Sequence, residues 1–163
     1  MKYSALVAVT LLAASSLGMP ELFSGASKAA PGQIIVTNNM NRPLRLEKGE
    51  GQTIILHQGQ TVQVAAAETS ADLWVSEQNA KQRQAEVSYS GGDEGTYNFS
   101  IMPAEGSGGF PGAIEAIPLS PRPSPRCHPL VWYPGQGNTQ QSTCQDRTPL
   151  RVFFREAHHL ELV

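Results

Sequence analysis

The stretch from Gln84 to Met102, QAEVSYSGGDEGTYNFSIM, constrains this chain more than any other. Two alternating runs, Ala85 to Ser90 and Thr96 to Met102, flank the turn cluster Gly91-Gly92-Asp93-Glu94-Gly95, the pattern of an antiparallel hairpin. Side chains alternate along a strand, so Val87 and Tyr89 share one face of the first run, and Tyr97, Phe99 and Ile101 share one face of the second. Glu86, Ser88, Asn98 and Ser100 fall on the opposite faces. An apolar face of this size needs a second layer to cover it. The polar face carries a carboxylate and leads into a Gly- and Pro-rich exit loop, which makes it the first place to look for a site.

The rest of the chain repeats that grammar. Gln33 to Asn38 is short and β-branched and stops at the turn chemistry of Asn38-Asn39. Leu44 and Leu46 alternate with Arg45 and Glu47 just after Pro43, as in a strand that starts behind a proline. Thr53 to Leu56, the turn His57-Gln58-Gly59, and Gln60 to Ala66 predict a strand, a turn and a strand. Leu73 to Ser76, Ala113 to Pro118, Leu130 to Trp132 and Leu150 to Phe154 supply further short apolar runs. Glu77 to Gln84 has no apolar stripe and is expected as a polar loop rather than a helix. Pro118 to Pro129 carries five prolines and resists regular structure. Short, evenly spaced strands with almost no helical periodicity predict an all-β fold, an antiparallel β-sandwich of about ten short strands.

With 163 residues the chain has room for one such domain. Met1 to Gly18 has one lysine, an apolar run from Ala5 to Ala14 and then small residues, the layout of a secretory signal peptide too short to span a bilayer. Cleavage after Gly18 is expected, followed by a flexible leader over 19–32, the folded domain over 33–155 and a disordered tail over 156–163. In an exported chain, Cys127 and Cys144 are expected to form a disulfide. Two cysteines and four scattered histidines do not make a structural zinc site, and no metal or cofactor is expected. Twelve basic against 14 acidic residues exclude the basic stripe of a nucleic-acid binder. No second apolar span points to a membrane.

The order of motifs resembles the small fungal thaumatin-like, or osmotin-like, secreted proteins, in particular the Blastomyces yeast-phase-specific protein family. The residues behind the resemblance are IIVTNNM at Ile34 to Met40, the turn at Leu56 to Gln60, EVSYS followed by TYNFS, and a late block. That block joins Cys127, Leu130-Val131-Trp132, Pro134-Gly135, Cys144 and the final run Leu150 to Phe154. Met40 and Phe154 stand where family members carry a second cysteine pair, so packing is expected to substitute for that bridge. The resemblance implies a thaumatin-like β-sandwich, secreted to the extracellular space or cell wall. The partners it implies are cell-wall β-glucan or a host or secreted protein, with the chain a monomer.

It also implies a site. Glu86 resembles the cleft glutamate of larger thaumatin-like proteins, Asn98 stands in place of their aspartate, and Glu105 could replace the acid of the following turn. Glycoside hydrolysis requires two carboxyl groups across the scissile bond, and an amide cannot serve as one of them. The exchange therefore weighs against a β-1,3-glucanase with Glu86 and Glu105 as its pair, and less against sugar binding, since amides bond hydroxyls well. Asn98-Phe99-Ser100 is at the same time an N-glycosylation sequon. Trp74, Trp132 and Tyr133 are candidates for stacking on a sugar ring if exposed, with core packing as the competing role, the more expected one for Trp74 and evenly balanced for Trp132. No nucleophile elbow accompanies the histidines, and Gly106-Ser107-Gly108-Gly109 lacks the lysine of a phosphate loop. The expected function is that of a secreted, non-catalytic protein acting at the cell wall or host interface, either glycan-binding or effector-like. The alternatives are a weak glucanase and an inhibitor or binder of another secreted protein.

Overall fold

A computed structural model describes residues 32–49, 51–65, 70–91, 95–104, 109–120, 124–145 and 148–157. The expected signal peptide, the leader as far as residue 31, Glu105 and the histidines of the tail lie outside these residues.

Eleven strands form two sheets: β1 (Gln33–Asn39), β2 (Leu44–Lys48), β3 (Gln52–Leu56), β4 (Thr61–Ala65), β5 (Ser70–Glu77), β6 (Ala85–Gly91), β7 (Thr96–Pro103), β8 (Gly112–Pro118), β9 (Leu130–Trp132), β10 (Gln140–Gln145) and β11 (Leu150–Glu156). The five-stranded sheet runs β4-β1-β11-β8-β9 and the six-stranded sheet β10-β7-β6-β5-β2-β3. No α-helix occurs among the described residues. The expected all-β sandwich is therefore the fold, and Glu77 to Gln84 is the loop that its missing apolar stripe predicts.

Alternation builds the core. Ile34 and Val36 of β1, Val64 of β4, Ile114 and Ala116 of β8 and Leu150, Val152 and Phe154 of β11 face inward from one sheet. Leu44 and Leu46 of β2, Leu73 and Val75 of β5, Val87 and Tyr89 of β6 and Phe99 and Ile101 of β7 meet them from the other. The hairpin at the centre of the sequence is β6–β7, with Val87 opposite Ile101 and Tyr89 opposite Phe99. Tyr89 stacks on Tyr97 at 5.4 Å and donates its hydroxyl to the Thr148 carbonyl at 3.0 Å, so this buried phenol is satisfied. Met40 and Phe154 are both fully buried in the same core. Gly112 makes that packing possible, because a Cβ there would lie 2.6 Å from the Arg155 carbonyl oxygen and 2.8 Å from the Met40 sulfur.

Three features depart from the sequence reading. β10, QQSTCQ, has no apolar alternation to announce it; it forms because β7 offers it a ladder from Thr96 to Ile101. The pairing is not antiparallel throughout, since β1 and β11, the first and last strands, run parallel from Ile34↔Leu150 to Asn39↔Arg155. β11 also continues to Glu156, whose carboxylate accepts from the Asn41 backbone N–H at 2.8 Å, so residue 156 belongs to the sheet and not to a tail.

The two lateral openings of the sandwich are closed differently. On one flank Cys127 and Cys144 form the expected disulfide, with Cα atoms 4.7 Å apart and a separation of 17 positions in sequence. Around it the proline-rich segment is tied down, with Thr143 N–H donating to the Arg126 carbonyl at 2.8 Å and His128 N–H to the Ser142 hydroxyl at 2.9 Å. On the other flank, β3 and β4 are joined by a turn held by Asn38. This fully buried side chain donates to the carbonyls of Arg42 and Leu56, both at 2.8 Å, and accepts from the Met40 N–H at 2.9 Å. Its backbone bonds the turn twice, to Gly59 and Gln60, and Gly59 takes the positive φ of 74° that only glycine adopts without strain.

Candidate functional site

The outer face of the six-stranded sheet carries the polar half of the hairpin. Register sets its rows. Glu47 of β2 is opposite Trp74 of β5, which is opposite Glu86 of β6, which is opposite Met102 of β7. One pleat further along, Asp72, Ser88 and Ser100 form the next row, and Ser90, Asn98 and Thr143 the one after.

Two carboxylates meet between the first and second rows. Glu86 is 9% exposed, and Asp72 is its diagonal cross-strand neighbour on the same face, near enough to act on its carboxyl by charge and as a hydrogen-bond partner. Burial foremost, then the charge of Asp72 and the bond to it, push Glu86 above the ordinary carboxylate range, while Arg83 pulls it back down. Physically, a carboxylate withdrawn from water beside a second negative charge favours the state in which it keeps its proton. Asp72 is further fixed by the Ser88 hydroxyl, which donates to it at 2.9 Å.

Arg83, in the loop between β5 and β6, roofs one end of this arrangement. Its Nε donates to Glu47 at 2.9 Å, and its guanidinium lies 4.9 Å from the centre of the Trp74 ring. Trp74 is thus half-buried on the outer face rather than in the core, because Leu73 and Val75 take the inward positions of β5. Arg45 Nε lies 3.1 Å from Glu47, without the alignment of a hydrogen bond. A separate pocket of about 250 Å³ opens at the end of the sheet, between Arg42, Pro43, Glu77 and Gln78 to Ala80. There Arg42 pairs with Glu77 at 2.7 Å and with Glu156 at 3.5 Å, which ties the ends of the two sheets together.

The residues singled out from sequence separate on this map. Glu86 and Asn98 share the outer face but stand two pleats apart, about 13 Å at the rise of a strand. Asn98 accepts the Thr143 hydroxyl at 2.7 Å, which engages its carbonyl with β10. Glu105 lies outside the described residues. Trp132 belongs to the other sheet and is 1% exposed. Its indole N–H donates to the Gln136 carbonyl at 2.9 Å, so it is a core residue, with neither ring face open to a sugar. Asp72, Arg83 and Glu47 are not singled out from sequence as site residues, whereas Trp74 is one of the aromatic candidates. The signal for Asp72 is present in the sequence: it alternates with Trp74 along β5, and that strand pairs with the one bearing Glu86.

A hydrogen-bonded acid pair of this kind both donates and accepts, which suits it to a hydroxyl-bearing ligand. It does not suit glycoside cleavage, whose two carboxyl groups stand roughly 5 to 9.5 Å apart with the bond between them. Among the described residues no group of three His, Cys, Asp or Glu side chains converges to hold a metal ion. No helix among them is long and apolar enough to cross a membrane.

Fold and disulfide together define the class: an all-β sandwich with one bridge of the sort that persists in an oxidising compartment. No known protein family and no curated protein matches the chain in sequence. Among solved structures it is similar to the protein elicitor MoHrip2 from Magnaporthe oryzae, with a TM-score of 0.61 at 14% identity, covering 75% of this chain and 97% of that one. At that identity the likeness is one of fold.

Proposed function

We propose that this chain is an exported, non-catalytic β-sandwich of the thaumatin-like kind. It acts at a cell wall or host interface as an elicitor-like protein, and it holds a glycan on the outer face of its larger sheet. The observation that carries the glycan half is the Asp72–Glu86 pair beside half-buried Trp74. The pair offers hydrogen bonds to hydroxyls and the aromatic edge offers apolar contact, while the contact between the carboxyls leaves no room for a scissile bond. The elicitor-like half is supported by the fold shared with MoHrip2 and by the disulfide.

Retention on insoluble β-1,3-glucan tests the binding. Wild-type protein is expected in the pellet fraction, Trp74→Ala and Asp72→Ala in the supernatant, and Gln145→Ala, at the far edge of the sheet, in the pellet like wild type. If the folded wild-type protein stays in the supernatant, the glucan reading falls. Release of reducing sugar that disappears in Glu86→Gln would overturn the non-catalytic reading instead.

A further inference from the structure

β3 is an open edge. Among the described residues it pairs with β2 alone, and from Gln52 to Ala65 neither it nor the turn nor β4 contains a Lys, Arg, Asp, Glu or Pro. Natural edge strands are usually blunted by such residues, by a bulge or by a covering segment, because bare N–H and C=O groups recruit another strand. The opposite flank has a cover in the disulfide-tied segment; this one has none among the described residues. Ile55, on the outer face of β3, is one of two large apolar side chains exposed among the described residues, at 37%, and Ile54 on the inner side is only partly buried against the core.

We propose that β3 is a dimerisation edge, occupied by β3 of a second copy of this chain in antiparallel two-fold pairing centred on Ile54. The centre follows from charge. In the outer rows Arg45 is next to Ile55 and Glu47 is next to Thr53. Pairing about Ile54 sets Thr53 opposite the partner's Ile55, so each Arg45 shares a row with the partner's Glu47. Pairing about Ile55 would align two arginines, and pairing about Thr53 two glutamates. Only the Ile54 centre opposes unlike charges, and it also engages all five residues of the strand. It covers Ile55, brings the two Ile54 side chains together as an extension of the core, and adds roughly four to six backbone hydrogen bonds. The joined sheet would have twelve strands, twice the six of one copy, and would carry two copies of the acid face.

Sedimentation equilibrium of the purified protein over a range of concentrations tests this. The wild type is expected to approach twice the monomer mass as concentration rises. Ile55→Lys, which restores a blunting charge to an exposed position, is expected to stay at the monomer mass with an unchanged circular dichroism spectrum. Gln63→Lys, on the exposed face of β4, is expected to dimerise as the wild type does. A wild type that is monomeric at every concentration, or an Ile55→Lys variant that dimerises undiminished, overturns the proposal.

Discussion

The two flanks of the sandwich solve one problem with different chemistry. Each must hold the margins of two sheets together where the core runs out. The β9–β10 flank uses a covalent bridge between Cys127 and Cys144, and the β3–β4 flank uses the amide of one buried asparagine. The bridge acts mainly on the unfolded chain, by shortening a loop. Asn38 acts on the folded chain, by satisfying three backbone groups, of which the Arg42 carbonyl and the Met40 N–H lie outside any strand. The first is independent of packing and tolerates a polar surface; the second depends on the amide being kept from water.

Asn38→Ala breaks the comparison most severely. Removing the amide strands the Leu56 and Arg42 carbonyls and the Met40 N–H, and each buried unsatisfied group costs about 1 to 3 kcal/mol. A loss of about 3 to 5 kcal/mol is expected in urea unfolding, and a loss under 1 kcal/mol would mean that water replaces the amide and that the flank is wetter than described. Next comes the bridge. For cysteines 17 positions apart, the double variant Cys127→Ala, Cys144→Ala is expected to lose about 3 kcal/mol in the same assay. The order of the two effects is itself informative, because it sets one amide above a covalent bond.

The smallest effect sits between the flanks, on the acid face. Glu86 is raised above its unfolded value, so between the two values the folded state binds more protons than the unfolded one. Stability contributed by this group is therefore greatest at low pH and is lost as pH rises through the unfolded and then the folded value. Glu86→Gln should remove that slope and leave the protein somewhat more stable than wild type at neutral pH. Thermal unfolding followed across the acidic range checks it, and identical profiles for the two proteins would show that Asp72 and Glu86 do not share a proton.

Much of the scaffold could be read from alternation alone. Val87, Tyr89, Phe99 and Ile101 face inward because apolar residues at every second position leave a strand no other way to bury them. β10 escaped that reading because its order comes from a partner rather than from its own pattern, and its inward residues are Ser142 and Cys144. Trp132 is buried and Trp74 half-buried for a related reason. Alternation says which residues share a face, yet whether that face is covered depends on pairing between distant segments. The site suffered most, since Glu86 was legible as an outward carboxylate while its true companion, Asp72, becomes a neighbour only through the β5–β6 register.

The parallel contact of β1 with β11 has a consequence for how the molecule is made. β11 is the middle strand of the five-stranded sheet and follows its four sheet partners in the chain, so β1 and β4 on one side and β8 and β9 on the other wait for it. Half the sandwich thus has no partially assembled form worth keeping, and long-range pairing of this kind slows folding. A chain cut before Leu150 would keep the β4–β1 and β8–β9 pairs and lose the strand that joins them, so one short segment decides whether the smaller layer exists as a single sheet.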